Sequence, residues 1–233
     1  MTFSGFQKLT LLDFPGKTAS IVFTRDCNFR CPFCHNASLV LCRGCEVIAE
    51  DDVLSYLDRR KKLLDGLSIT GGEPLMQEGL CEFIRKVKAL GYAVKLDTNG
   101  TYPERLKALL DEGLLDYVAM DLKNSEREYL KTAGISNASL VLRVKESIRL
   151  IMASGVDYEF RTTLVKGLHT EDSLREALSL ITGAERYYLQ RFTDSGDLIA
   201  PEGLSAFSYE EMRAFLKIAQ EVIPTAALRG VDA

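Results

Sequence analysis

No apolar run in this chain approaches the roughly 18 to 20 residues that a membrane-spanning helix needs, so no membrane partner is expected. The start, Met1-Thr2-Phe3-Ser4, has neither a basic opening nor an apolar core, so no secretory signal is expected. That points to a reducing, cytoplasmic setting in which structural disulfides are rare. There is no long basic block and the formal net charge is −4, which disfavours nucleic acid as a partner. No low-complexity tract, internal repeat or linker interrupts the 233 residues, and one domain over 1–233 is expected. Histidine is limited to His35 and His169, and no cysteine follows Cys81.

Against that scarcity, three cysteines crowd into eight residues: Cys27, Cys31 and Cys34, in Cys27-Asn28-Phe29-Arg30-Cys31-Pro32-Phe33-Cys34. Pro32 pushes Cys31 out of the helical region, so the segment reads as a loop that can turn three sulfurs toward one centre. Three thiolates are one fewer than a four-iron cluster needs, which leaves one iron open for a non-protein ligand. Part of a disulfide set fits a reducing compartment poorly. Zinc stays open on counting alone, because Cys42-Arg43-Gly44-Cys45 supplies a second C-x2-C pair. Cys81, among apolar neighbours of a helix-like stretch, is expected to be a buried small hydrophobe.

The rest of the chain alternates. Strand-like runs are Ala19–Phe23, Leu67–Thr70, Ala93–Asp97, Tyr117–Leu122, Tyr158–Val165 and Tyr187–Phe192. Helix-like stretches lie between them: Asp51–Leu64, Glu78–Leu90, Pro103–Glu112, Val141–Ser154 and Glu171–Ile181, with a last helix from Ser208. Thr170 is a plausible N-cap, and Ser208 with Glu211 reads as a capping box. Such alternation makes an α/β fold with a parallel sheet, and sites collect at the carboxyl ends of its strands. Cys27, Gly71, Asp97 and Asp121 fall at such ends. Taken alone, Gly71-Gly72-Glu73-Pro74 reads as a strand-to-helix turn with a first-turn acid. Likewise Asp97-Thr98-Asn99-Gly100 is ordinary turn chemistry, and Asp121 fits as a cap of the following helix.

In order along the chain, C-x3-C-x2-C with Phe33 before the last cysteine and then Gly71-Gly72-Glu73-Pro74 resemble the radical S-adenosylmethionine (SAM) superfamily. The resemblance implies an open partial (β/α)6 barrel, with which the six strand–helix units agree. It implies a [4Fe-4S] cluster on Cys27, Cys31 and Cys34, with the SAM amino and carboxylate groups on the open iron. Gly71 and Gly72 would admit the methionyl part closely. Glu73, followed by Pro74, would accept from its ammonium.

The runs Asp97-Thr98-Asn99-Gly100 and Met120-Asp121-Leu122-Lys123 on a short chain narrow the resemblance to the glycyl-radical-enzyme activases. The lead-in Leu11-Leu12-Asp13-Phe14-Pro15-Gly16-Lys17 adds to it. The subfamily most similar is the anaerobic ribonucleoside-triphosphate reductase activating proteins. By that resemblance Asp97, Thr98 and Asp121, with the Ala119 carbonyl, would ligate a monovalent cation. Asp97, Asn99, Lys123 and Arg161 would contact SAM. A flavodoxin or ferredoxin would reduce the cluster, SAM would yield a 5′-deoxyadenosyl radical, and that radical would take hydrogen from a glycine of the partner enzyme. Two departures stand out. Some activases use a histidine after the sixth strand, where this chain has only Gln190 and Thr193. Nor does it have the cysteines of a ferredoxin-like insert or a cysteine-rich extension. An activase of the pyruvate formate-lyase type, or a small-molecule enzyme similar to the deazapurine-forming ones, would share the same SAM motifs.

Overall fold

A computed structural model describes residues 1–44 and 46–230. The chain runs β1 (Thr2–Phe3), β2 (Gly5–Thr10), β3 (Ala19–Thr24), α1 (Ala37–Val40), β4 (Ile48–Ala49), α2 (Glu50–Arg60), β5 (Gly66–Gly71) and α3 (Leu80–Ala89). It continues through β6 (Ala93–Thr98), α4 (Pro103–Asp111), β7 (Tyr117–Asp121), α5 (Tyr129–Ala133), α6 (Ser139–Ala153) and β8 (Asp157–Leu164). It closes with α7 (Glu171–Ser179), β9 (Tyr187–Arg191), α8 (Tyr209–Val222) and β10 (Ala227–Arg229).

One eight-stranded sheet has the order β10-β9-β8-β7-β6-β5-β3-β2. Every neighbouring pair is parallel except β2 against β3. A separate two-residue ribbon pairs β1 with β4. The six expected strands are therefore β3, β5, β6, β7, β8 and β9, and the edge strands β2 and β10 do not pair with each other, so the barrel is open. The two additions escaped the sequence reading for physical reasons. β10 is three residues long, and β2 exposes three consecutive residues, Gln7, Lys8 and Leu9, so neither alternates.

The helices follow local rules. In α3, Leu80, Phe83, Ile84 and Val87 form the buried stripe, a spacing that keeps one face inward. Pro103 sits in the first turn of α4, where its missing N–H costs nothing. Thr170 and Ser173 close a capping box on α7, and Ser208 and Glu211 close one on α8.

Side chains alternate along a strand, and that alternation fills the barrel interior with polar groups. Lys95 and Asp97 come from β6, Tyr117 and Asp121 from β7, and Glu159, Arg161 and Thr163 from β8. Phe14, Ala19, Tyr117 and Ala119 pack together at the amino end of the sheet and close its floor. The carboxyl end opens into a cavity of about 420 Å³.

Candidate active site

The segment after β3 carries Cys27, Cys31 and Cys34, and all three line this cavity. The loop is non-helical, as Pro32 predicts, and is shaped by its own backbone: Cys34 N–H donates to the Cys31 carbonyl at 3.0 Å. The Phe29 N–H points at Cys27 Sγ, 3.3 Å away. The Cys31 thiol faces the Ala133 carbonyl at 3.7 Å. Burial, with the Glu73 charge adding to it, pushes the Cys27 thiol up to about 12. Burial likewise takes Cys31 to about 11 and raises Cys34. Thiols held this firmly in the neutral form surrender their protons only to a strong positive centre, which a metal supplies. Among the described residues no three His, Cys, Asp or Glu side chains converge on a single ion. Three thiols spread around one cavity wall instead fit a multi-iron cluster with one iron left open.

Opposite the cysteines, Gly71 and Gly72 also line the cavity. The requirement for glycine comes from the protein's own backbone. A Cβ on Gly72 would lie 1.9 Å from the Asp26 carbonyl oxygen, and one on Gly71, at φ +113°, would lie 2.4 Å from the Thr24 oxygen. This closeness lets Gly72 N–H donate to Thr24 at 2.9 Å and Glu73 N–H to Asp26 at 2.8 Å. The turn is laced onto the strand that leads into the cysteines.

Glu73 is engaged by the chain itself. Its side chain is fully buried and does not line the cavity. Its carboxylate accepts from Asn99 N–H at 2.7 Å, Thr98 Oγ1 at 2.8 Å and Leu75 N–H at 3.0 Å. With three donors from the chain itself, it ties the turn to the end of β6. Burial raises its pKa to about 7, although those donors oppose the rise. Pro74 is also buried, in the short 3-10 turn Pro74–Met76.

The expected cation ligands are also rearranged. Arg161 Nε donates to Asp121 Oδ1 at 3.0 Å, and Arg161 Nη1 to Asp97 Oδ2 at 3.4 Å. Lys95 reaches the other oxygen of Asp97, and Lys123 donates to Asp121 Oδ2 at 2.9 Å. Burial alone would raise both carboxyl groups. Lys123 and Arg161 outweigh it at Asp121 and hold that group at about 2, and Arg161 with Lys95 lowers Asp97. Thr98 spends its hydroxyl on Glu73 and accepts from Gly100 N–H at 3.1 Å. Ala119 lies lower, packed in the floor. The positive charge between Asp97 and Asp121 in this structure is thus the Arg161 guanidinium. Asp97, Asn99, Asp121, Lys123 and Arg161 do share the cavity with the cysteines.

Several contributors had no signal in the sequence. Asn36 Nδ2 donates to the Gly71 carbonyl at 2.8 Å. Asn28 Oδ1 accepts from Asn99 at 2.9 Å, and its Nδ2 donates to Thr101 Oγ1 at 2.8 Å. His35 reaches across the barrel opening to the far edge. It donates to the Thr193 carbonyl at 2.7 Å and stacks on Phe192 at 5.9 Å. So the wall beyond β9 does meet a histidine, delivered by the cysteine loop, while Gln190 itself lines the cavity. His169 is structural: Val165 N–H donates to Nδ1 at 3.1 Å, and Nε2–H donates to the Lys123 carbonyl at 2.8 Å. The Cys42 thiol lies 2.9 Å from Asp26 Oδ1, and the role of the C-x2-C motif, left open by the sequence, involves Cys45, outside the described residues. Cys81 is half-buried rather than buried, because Leu80, Phe83 and Ile84 take the inward face of α3 and leave it beside Glu112.

The Radical SAM superfamily description matches residues 21–181, and the chain belongs to that superfamily. Its members are enzymes that bind a [4Fe-4S] cluster and SAM. Within it, the chain is 30% identical to MJ1227 of Methanocaldococcus jannaschii, provisionally named a glycyl-radical enzyme activating enzyme. That similarity covers 98% of this chain and 96% of the relative. It is 32% identical to a GTP 3',8-cyclase of Helicobacter pylori over 72% of this chain, but spans only 51% of the cyclase. The fold is shared with Streptococcus suis SuiB bound to SAM, at a TM-score of 0.65 and 13% identity, covering 90% of this chain and 52% of SuiB. No helix among the described residues is long and apolar enough to cross a membrane.

Proposed function

We propose that this protein activates a glycyl-radical enzyme, and that its partner is an anaerobic ribonucleoside-triphosphate reductase. The observation that carries the activase reading is the near end-to-end correspondence with MJ1227. The narrower partner rests on the Asp97-to-Gly100, Met120-to-Lys123 and Leu11-to-Lys17 runs. A core continuous from Phe3 to Ala226 supports reading 1–233 as one domain, working in a reducing cytoplasm with flavodoxin or ferredoxin as electron donor.

In this reading Cys27, Cys31 and Cys34 hold the cluster. Bound there, the cluster would supply the single electron for reductive cleavage of SAM, the source of the radical that would abstract a hydrogen atom from a partner glycine. The chain's own residues bind and orient. Gly71 and Gly72 present backbone to the ligand. Lys123, whose ammonium sits 5.9 Å over the Phe33 ring, and Arg161 give the cavity positive charge for a carboxylate. Asn99 offers an amide beside Cys27. Glu73 and Pro74 position this wall without touching the ligand. No side chain is needed as a general acid or base, since the cofactors carry the hard chemistry.

The test is anaerobic. The protein is reconstituted with iron and sulfide, reduced and given SAM, and 5′-deoxyadenosine is assayed with and without the reductase while the radical spectrum is recorded. A glycyl doublet on the reductase establishes the reading. SAM cleavage without a partner radical moves it to another glycyl-radical enzyme. Turnover of a small molecule without any protein partner favours the alternative to which the cyclase similarity points.

A further inference from the structure

Tyr129 opens α5, directly behind the cysteine loop. Its side chain is fully buried, its ring meets Phe29 edge-on at 6.3 Å, and its hydroxyl has no hydrogen-bond partner among the described residues. A buried hydroxyl left unpaired is costly and calls for an explanation. The far end of the same short helix backs the loop: the Ala133 carbonyl accepts the Arg30 N–H at 2.9 Å and faces the Cys31 thiol. The phenol also senses both neighbours. Beyond the effect of burial, the Lys123 ammonium and the Lys123 backbone N–H lower its pKa, and negative charge at Cys31 raises it; the N–H approaches the hydroxyl oxygen and leaves the O–H proton without an acceptor. The hydroxyl therefore lies within electrostatic range of both Lys123 and Cys31.

We propose that the Tyr129 hydroxyl is a hydrogen-bond donor kept for the sulfur at Cys31, where it sets the reduction potential of the cluster. This rests on the reading that Cys27, Cys31 and Cys34 hold that cluster. The metal-free thiol of Cys31 has a proton and points it at Ala133. A ligating thiolate has none and only accepts, so the Ala133 carbonyl stops being a partner and a donor is needed. Tyr129 is the buried donor without an acceptor on the helix that backs Cys31. Hydrogen bonds to cluster sulfur favour the more negative, reduced state and raise the potential. Tyr129 is thus a tuning residue, not a catalytic one. Ser68 has the other buried unpartnered hydroxyl among the described residues, but it does not line the cavity, and so serves as the control.

The experiment is a redox titration of the reconstituted cluster, followed by electron paramagnetic resonance, in wild type, Tyr129→Phe and Ser68→Ala. For Tyr129→Phe the reduction equilibrium should fall by about tenfold, about 59 mV more negative for a one-electron couple, with iron content unchanged. Ser68→Ala should match wild type. The metal-free Tyr129→Phe protein should melt no lower than wild type, because no existing bond is removed. An unchanged potential overturns the inference while leaving the cluster in place. A lower melting temperature of the metal-free variant also overturns it, by showing that the hydroxyl is bonded within the protein. A wild type that takes up no cluster sinks the underlying reading as well, so the two failures are distinguishable.

Discussion

The backbone N–H of Glu73 donates to the carbonyl of Asp26, 2.8 Å away and one residue before the first cysteine of the triad. This bond fixes the glycine turn to the cysteine loop at a separation no side chain tolerates. Gly72→Ala should therefore cost about 1–3 kcal/mol, as overpacking does, because the group in the way is backbone and cannot rotate aside. It should also lower iron uptake several-fold. Gly91→Ala is the comparison: its φ is +92° with nothing within 4 Å of the added Cβ. It should lose only about 1 kcal/mol of left-handed strain and keep its iron. Denaturation curves and iron analysis read both outcomes, and a Gly72→Ala protein with full iron content would remove the turn from the cluster's support.

Cys31→Ala should abolish the reconstituted cluster and 5′-deoxyadenosine formation, whereas Cys81→Ala should spare both. Cys31 is buried against α5 and lines the cavity; Cys81 lies half-exposed on α3 beside Glu112. Iron content and nucleoside release measure each. A Cys31 variant that still cleaves SAM would falsify the cluster assignment.

What was legible in the sequence is what depends on neighbours in the chain. The Thr170 N-cap and the Ser208–Glu211 capping box each act within three residues. The central strands β3, β5 and β7 read as mostly apolar runs because both faces are covered. The cysteine loop carries its own proline. Missing was whatever depends on residues far apart in sequence. Glu73 reads as a ligand-facing acid until the end of β6 folds over it, 25 residues on. Asp97 and Asp121 make a plausible metal pair until Arg161 arrives between them from β8. Pairing of β10 with β9 is carried by three residues, too few to leave a pattern.

Arg161 is the shared counter-charge of two carboxylates. Arg161→Met should destabilise the protein by about 3 kcal/mol, the usual order for stripping one partner from a buried ion pair, and should weaken SAM binding. Arg161→Lys should recover only part, since an ammonium cannot fork between Asp97 and Asp121. If the guanidinium is the resident cation, exchanging sodium for potassium at constant ionic strength should leave wild-type stability unchanged. Urea titrations in the two salts decide this, and a clear potassium preference would restore the metal-cation reading.

Glu73 predicts a pH dependence in the metal-free protein. Its folded pKa, about 7, lies above the ordinary 4.5, so the folded state binds the proton more tightly than the unfolded state. The stabilisation from that proton is complete below about 4.5 and is lost as pH rises through about 7. Asp121 acts oppositely: held at about 2 rather than 3.8, it stabilises above about 4, and that share is lost as pH falls toward 2. The Glu73 contribution should therefore decline between pH 5 and 8, against an opposite trend from His169, whose pKa burial lowers, and Glu73→Gln should remove the declining part whatever it does to the absolute level. An unchanged slope in the variant would assign the decline to another group.

The last ion pair lies at the other end of the barrel. Arg229 on β10 donates to both oxygens of Glu159 on β8, at 2.8 Å for Nη2, and lies 3.8 Å over the Tyr188 ring. Tyr117 donates to the same carboxylate at 2.8 Å. Glu159 is completely buried, and although burial raises its pKa, Arg229 brings it below the ordinary value. Arg229→Ala should cost about 3 kcal/mol at neutral pH, because it leaves a buried carboxylate with only a neutral donor. The loss should shrink as pH falls and Glu159 takes up a proton, and Arg229→Ala/Glu159→Gln should recover part of it. Since this pair is remote from the cysteines, iron uptake in all three proteins should equal wild type. Denaturation across pH tests the first claims and iron analysis the last; a single variant as stable as wild type would show that β10 is held by its backbone pairing with β9 and not by this charge.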